Sequence, residues 1–137
     1  MSNVTSEYVC RTDAAIGLEA LNELTEAVGW GRRADDKWQE ILTRSKYVYS
    51  LWSEEKLVGF GRVLEDGTMA MFYDIAVHPE YQGKGLGMRI MRYLLEQVRG
   101  KGYASIGLFA WDKNPGAIEF YEKLGFDRVN FGMKLKR

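Results

Sequence analysis

One cysteine, one histidine and two prolines stand among 137 residues. Cys10 has no second thiol to form an internal disulfide, and no Cys/His cluster exists to hold zinc, so the chain reads as one made for a reducing compartment, by default the cytoplasm. No metal is expected. The first residues, MSNVTSEYVCRTDAAIG, lack a basic stretch followed by an apolar core, and no apolar run approaches the ~20 residues that span a bilayer. Neither export nor membrane insertion is expected. Nineteen basic residues balance nineteen acidic ones, so no overall charge draws the chain to nucleic acid or an anionic lipid surface.

Enough remains to build a core. Apolar residues make up 46% and charged residues 28%, the proportions of a soluble globular chain, and the length suits one domain over 1–137. No repeat, low-complexity stretch or linker interrupts it. A short strand at 6–12 precedes Ile16, Leu18, Leu21, Leu24 and Val28, whose spacing gives a helix one apolar side. Gly29-Trp30-Gly31 ends that helix. Asp35 or Asp36 is the expected N-cap of a second helix carrying Trp38, Ile41 and Leu42. The period then falls from about four to two through 46–52, 56–64 and 69–78, predicting three antiparallel strands joined by turns at Ser53-Glu54-Glu55 and Glu65-Asp66-Gly67. After the loop 80–87, Leu86, Ile90, Met91, Leu94, Leu95 and Val98 line one face of a third helix. A buried-type strand follows at 103–110. Asn114-Pro115 opens a fourth helix, Gly125 suits its left-handed cap with Phe126 packing back, and 129–137 reads as an edge strand.

The strongest chemical signal is Gln82-Gly83-Lys84-Gly85-Leu86-Gly87, between a strand and a helix. Glycines at alternate positions let the backbone turn sharply and approach a ligand, while the unpaired N–H groups of the helix start favour an anion such as phosphate. Lys84 is followed by Gly85 rather than Ser or Thr, which removes the magnesium ligand of a nucleotide-hydrolysing P-loop. Met88 stands where a dinucleotide fingerprint needs its third glycine, and the preceding strands form a meander. Nucleotide hydrolysis and nicotinamide or flavin binding are both disfavoured.

Val77-His78-Pro79-Glu80-Tyr81 with this loop resembles the Q/R-x-x-G-x-G/A pyrophosphate loop of the GNAT superfamily of acyl-CoA-dependent N-acyltransferases. Asn114-Pro115-Gly116-Ala117 through Phe120-Tyr121-Glu122-Lys123-Leu124-Gly125-Phe126 is similar to the family's second signature, N-x-x-A-x-x-x-Y-x-x-x-G-F. The element order agrees along nearly the whole chain. The resemblance implies an α/β (α+β) fold: a mixed, mainly antiparallel sheet of six to seven strands flanked by four helices, with a splayed central pair holding CoA. It also implies acetyl-CoA as co-substrate. Its pyrophosphate would lie on the amides of Gln82, Gly83, Lys84, Gly85, Leu86, Gly87 and Met88. Its pantetheine arm would pair with Ile75, Ala76 and Val77 as an added strand, with Asn114 and Ala117 nearby and Tyr121 aimed at the thioester sulfur.

Acyl transfer to an amine requires alignment of two reactants, removal of an ammonium proton, stabilisation of an oxyanion and protonation of a thiolate. Tyr121 is the candidate acid, or else an inward core tyrosine on an amphipathic helix. Asp74 interrupts an apolar strand on the face opposite Ile75 and Val77, so burial would raise its pKa toward that of a useful base unless it is paired, in which case its role is structural. His78 is expected to be structural. Trp30, Trp38, Trp52, Tyr47, Tyr49 and Tyr73 either pack the core or line an aromatic acceptor site. Arg32, Arg33, Asp35 and Asp36 cancel, which disfavours a polyamine. The expected reaction is acetylation of a small primary amine or aromatic amine; the alternatives are a protein lysine or N-terminal acetyltransferase and a non-catalytic acyl-CoA-binding module. A homodimer is left open.

Overall fold

A computed structural model of the chain describes residues 7–110, 113–129 and 133–136. Five strands lie side by side in chain order: β1 (Val9–Arg11), β2 (Tyr47–Ser53), β3 (Lys56–Glu65), β4 (Met69–Val77) and β5 (Ser105–Leu108). The first four are antiparallel neighbours and β5 runs parallel to β4. Four helices, α1 (Leu18–Ala27), α2 (Asp35–Arg44), α3 (Leu86–Val98) and α4 (Pro115–Lys123), complete the described chain. None is long and apolar enough to cross a membrane.

The period-two pattern divides the core between the sheet's two faces. Tyr49, Val63, Ala70 and Phe72 join Ile90, Met91, Leu94 and Val98 of α3 in one cluster. Val48, Phe60 and Ala76 join Leu21 and Leu24 of α1 and Trp38 and Leu42 of α2 in the other. Close approach of α3 depends on Gly61, where a Cβ would lie 2.7 Å from Ile90 and 2.9 Å from Ile75.

Four sequence expectations are corrected. The second helix begins one residue earlier than an aspartate cap allows: Ala34 is the N-cap and makes no side-chain bond, while Asp35 and Asp36 lie in the first turn. There their charge favours the positive end of the helix dipole without a cap bond. The strands expected at 6–12 and 103–110 shorten to Val9–Arg11 and Ser105–Leu108, the lengths over which a neighbour pairs with them. The described sheet has five strands rather than six to seven. Finally, 129 and 133–136 carry no strand, while 130–132 and 137 lie outside the described residues. Val129, Met133 and Leu135 are 82%, 96% and 91% exposed, and among the described residues no strand pairs with them, so their alternation does not make a strand there.

Candidate active site

The site is organised by an irregularity in β4. Phe60 of β3 faces Ala76, but Arg62, two residues on, faces Tyr73, so β4 holds one residue too many in that interval. Asp74 absorbs it with φ +56, a left-handed conformation that aspartate tolerates better than most residues. The bulge preserves the apolar phase across the strand. Ala70 and Phe72 belong to the α3-side cluster, and Ile75 and Val77, an odd step further, pack against the same cluster.

Pairing with β5 stops at Phe72–Leu108, so Asp74–Val77 has β3 on one side and, among the described residues, no strand on the other. The His78 N–H bonds to the Val58 carbonyl of β3, and antiparallel alternation then turns the backbone groups of Ile75 and Val77 toward the open edge and those of Ala76 toward β3. Of the three expected pantetheine partners, Ile75 and Val77 present groups there. The Gln82 side chain already donates to the Val77 carbonyl, at 3.1 Å.

His78 leads from this edge into the loop. Its Nδ1 accepts from the Glu80 N–H at 3.1 Å and caps the single turn Pro79–Tyr81, the structural part expected of it. Gly83 (φ +80) and Gly85 (φ +82) both take left-handed conformations. A Cβ on either would meet nothing within 4 Å, so glycine is required there by the backbone and not by crowding. Gly85 is the N-cap of α3 and supplies no side-chain acceptor. The first bond back along the helix is Arg89 N–H to the Gly85 carbonyl, leaving the amides of Leu86, Gly87 and Met88 free of intrahelical acceptors. Lys84 is exposed beside them.

The second signature folds against the same place. Asn114 caps α4, its Oδ1 accepting from the Ala117 N–H at 3.1 Å, which accounts for both residues locally. At the other end Gly125 is left-handed (φ +101), the Phe126 N–H bonds to the Tyr121 carbonyl, and the Phe126 ring packs edge-on against Tyr121 and Phe72. A Cβ on Gly87 would stand 3.4 Å from the Phe120 ring and 3.8 Å from Val77, so α4, the start of α3 and the open end of β4 converge. Tyr121 packs beside Phe120. Burial pushes its phenol pKa up, and its hydroxyl has no hydrogen-bond partner among the described residues. The group stays protonated at neutral pH.

Asp74 is paired. Arg33 grips its carboxylate with both terminal nitrogens, at 2.9 and 3.0 Å, and Arg62 Nε donates to it at 2.8 Å. Burial alone would raise its pKa, but the hydrogen bonds and charges of the two guanidiniums outweigh burial and hold it below the usual carboxylate range. The upward shift that would make a base is therefore absent. Asp74 and Tyr121 also belong to opposite faces of the sheet, Asp74 with residues of the α2 approach and Tyr121 against the α3-side cluster.

Sequence reasoning missed Arg33 and Arg62. Arg62 carried a signal, a charge two residues from Phe60 in an otherwise apolar strand, but recognising Asp74 as its partner required the bulged register. Arg33 carried none, because its partner lies 41 residues away. The expected cancellation within 32–36 is not local either: Arg32 pairs with Glu19 and Glu26 of α1. Among the aromatics, Trp38 and Trp52 are core, whereas Trp30 is 49% exposed. A cleft of about 430 Å³ between Ala14–Leu18 and Gln39, Leu42 and Thr43 shares no residue with the glycine loop, β4 or α4.

Comparison with known proteins agrees with this geometry. The model of the acetyltransferase (GNAT) family matches residues 16–126. An uncharacterized N-acetyltransferase, ycf52, of Porphyra purpurea is 39% identical over 124 residues, 87% of this chain and 70% of its own. A chloroplastic serotonin N-acetyltransferase 2 of Oryza sativa subsp. japonica is 35% identical over 126 residues, 86% of this chain and 60% of its own. Among solved structures, the GNAT-family acetyltransferase SP0256 of Streptococcus pneumoniae TIGR4 superposes with a TM-score of 0.78 at 23% identity, over 95% of this chain and 98% of that one. A family model matched over residues 16–126 and a relative 39% identical over 87% of the chain make this protein an acyltransferase enzyme that belongs to the acetyltransferase (GNAT) family.

Proposed function

We propose that the protein transfers the acetyl group of acetyl-CoA, the donor its family generally uses, to the primary amine of a small molecule. The observation that carries this reading is the open edge of β4 running directly into the left-handed glycines and free amides at the start of α3. An extended arm bearing amides can complete the missing strand at Ile75 and Val77, as peptides do when added to sheet edges. The pyrophosphate then reaches the amides between Gly83 and Met88, where partial positive charge awaits it. Bound there, acetyl-CoA supplies an activated acyl group and a thiolate leaving group.

The chain's own residues do the rest. The strand edge and loop fix the donor, and holding both reactants in line lowers the barrier by making the attack effectively intramolecular. Tyr121 keeps its proton, because burial raises its pKa, and delivers it from the phenol oxygen to the departing sulfur. Asp74, held ionised between two arginines, shapes the acceptor side and takes up no proton at neutral pH; the amine's proton leaves through water. The exposed Trp30 and the partly buried Tyr73, whose ring lies 5.1 Å from the Arg62 guanidinium carbon, offer aromatic surface to the acceptor. A relative named for serotonin supports an aromatic amine.

The test is binding followed by turnover. CoA at about 100 times its dissociation constant should add roughly 2.7 kcal/mol to the stability of the fold, seen as a thermal shift, and Gly85→Glu should remove that shift while staying folded. A panel of primary amines, serotonin included, with acetyl-CoA should then give an N-acetylated product by mass spectrometry. An equal shift in the folded Gly85→Glu protein, or no acetylated amine, overturns the reading.

A further inference from the structure

In the segment 28–34 between α1 and α2, Arg33 is held from three directions and links the segment to β4. The Arg33 N–H donates to Asn22 Oδ1 at 2.9 Å, and Asn22 Nδ2 donates back to the Arg33 carbonyl at 3.1 Å. The same Asn22 Oδ1 accepts from Trp38 Nε1 at 2.8 Å, and the Arg33 guanidinium carbon sits 4.6 Å from the centre of the Trp38 ring. Its fork closes on both oxygens of Asp74, the bulge residue of β4. Upstream the segment is held only to α1, the Trp30 N–H bonding to the Thr25 carbonyl and Arg32 pairing with Glu19 and Glu26, while Gly29 (φ +88) and Gly31 (φ +78) flank the exposed Trp30. Three residues of chain reach at most roughly 10 Å, so wherever Arg33 is fixed, Trp30 is confined.

On the proposed reading, the acyl group lies against the open half of β4, which begins at Asp74. An amine arriving on the α1/α2 face meets the Arg33–Asp74 pair and the loop carrying Trp30. We propose that Arg33 is a positioning residue: through Asp74 it locks the 28–34 loop across the bulge and so sets the wall against which the acceptor binds. Arg62 has a different part. Its Nε holds one Asp74 oxygen and its Nη1 reaches Ser45 Oγ at 3.4 Å, so Asp74 keeps an ionic partner, and the bulge keeps its shape, when Arg33 is replaced. This separates the acceptor wall from the cofactor strand. The inference rests on the acetyl-transfer reading for its kinetic consequence, but not for the lock itself.

The experiment compares the full chain with Arg33→Met and Arg33→Lys. Amide hydrogen exchange, which needs no ligand, should quicken about tenfold in 28–34 of the Met variant while α3 and β3 exchange as before. With the best amine from the panel, acceptor KM should rise about tenfold while the acetyl-CoA Kd stays within about twofold. Lysine keeps the charge but loses the fork, so Arg33→Lys should fall between the two; it also decides the matter if the Met protein does not fold. Unchanged loop exchange and unchanged acceptor KM overturn the proposal, as does an acetyl-CoA Kd that rises in step with acceptor KM. If the wild type acetylates no amine, the proposed function fails, and the exchange rates alone decide whether Arg33 locks the loop.

Discussion

The two halves of β4 are one continuous strand with opposite assignments. Met69–Phe72 has β3 on one side and β5 on the other, and Ala70 and Phe72 are 0% and 3% exposed. Among the described residues Asp74–Val77 has β3 alone, and the side chains of Ile75 and Val77 are only partly covered. The first half is a core element whose backbone bonds are made within the sheet. The second leaves part of its backbone bonding capacity unmet by any strand among the described residues, which is where the proposed function lays the donor's amide-bearing arm. What separates the halves is one inserted residue. A left-handed non-glycine residue costs about 1–3 kcal/mol, and here that strain is held by two guanidiniums on its side chain.

That contrast can be broken at graded cost. The largest loss is expected in the closed half: Phe72→Ala empties a site in the α3-side cluster and should lower stability by about 3–5 kcal/mol in denaturant titration, whereas Val77→Ala should cost far less. Equal losses would erase the distinction between the halves. Next comes Asp74→Asn. Removing one partner from a buried ion pair costs about 3–5 kcal/mol, and the partial exposure of Arg33 reduces this to roughly 2–3 kcal/mol. Because the folded-state pKa of Asp74 is depressed, its contribution is present above the ordinary carboxylate range and is lost as pH falls through the lowered value. Wild type and variant should therefore converge in stability in acid. A gap that persists at low pH would show that charge is not the cause. The same variant should leave the pH–rate profile near neutrality unaltered in shape; loss of its rising limb would restore Asp74 as a base.

Tyr121→Phe tests the open side. Turnover should fall about a hundredfold, or roughly 2.7 kcal/mol of barrier, with CoA affinity kept. Full activity would return Tyr121 to packing alone, and lost CoA binding would make it a surface for the cofactor. The smallest effect belongs to Asn114→Ala. Its observed bond is a helix cap, worth about 1 kcal/mol of stability, so a loss of acetyl-CoA affinity beyond what α4 fraying explains, measured by calorimetry, would give its side chain a direct part in binding.

Periodicity and punctuation were sufficient for the meander, the four helices, the Gly125 cap and the glycine loop, because each depends on residues close together in the chain. The bulge was partly legible. In MAMFYDIAV the one polar break, Asp74, marks the place, but Met69, Met71, Tyr73 and Ala76 are apolar too, so the shift in phase from Phe72 to Ile75 is visible only in the packed strand. The Asp74 pKa was not legible, since its direction depends on whether burial or pairing wins and both partners come from elsewhere in the chain.

The sequence by itself determined where the backbone turns and which faces are apolar, and with them the place of the free amides at the start of α3, since glycine conformations and helix starts are local properties. Tertiary structure alone decided the rest: where β5 stops pairing, which edge of β4 stays open, and which charges meet. An unpaired edge is defined by a neighbour that ends early, and an ion pair between Arg33 and Asp74 by a sheet that brings distant segments within 3 Å. Both are set by the packing of the whole, which no short window of residues contains.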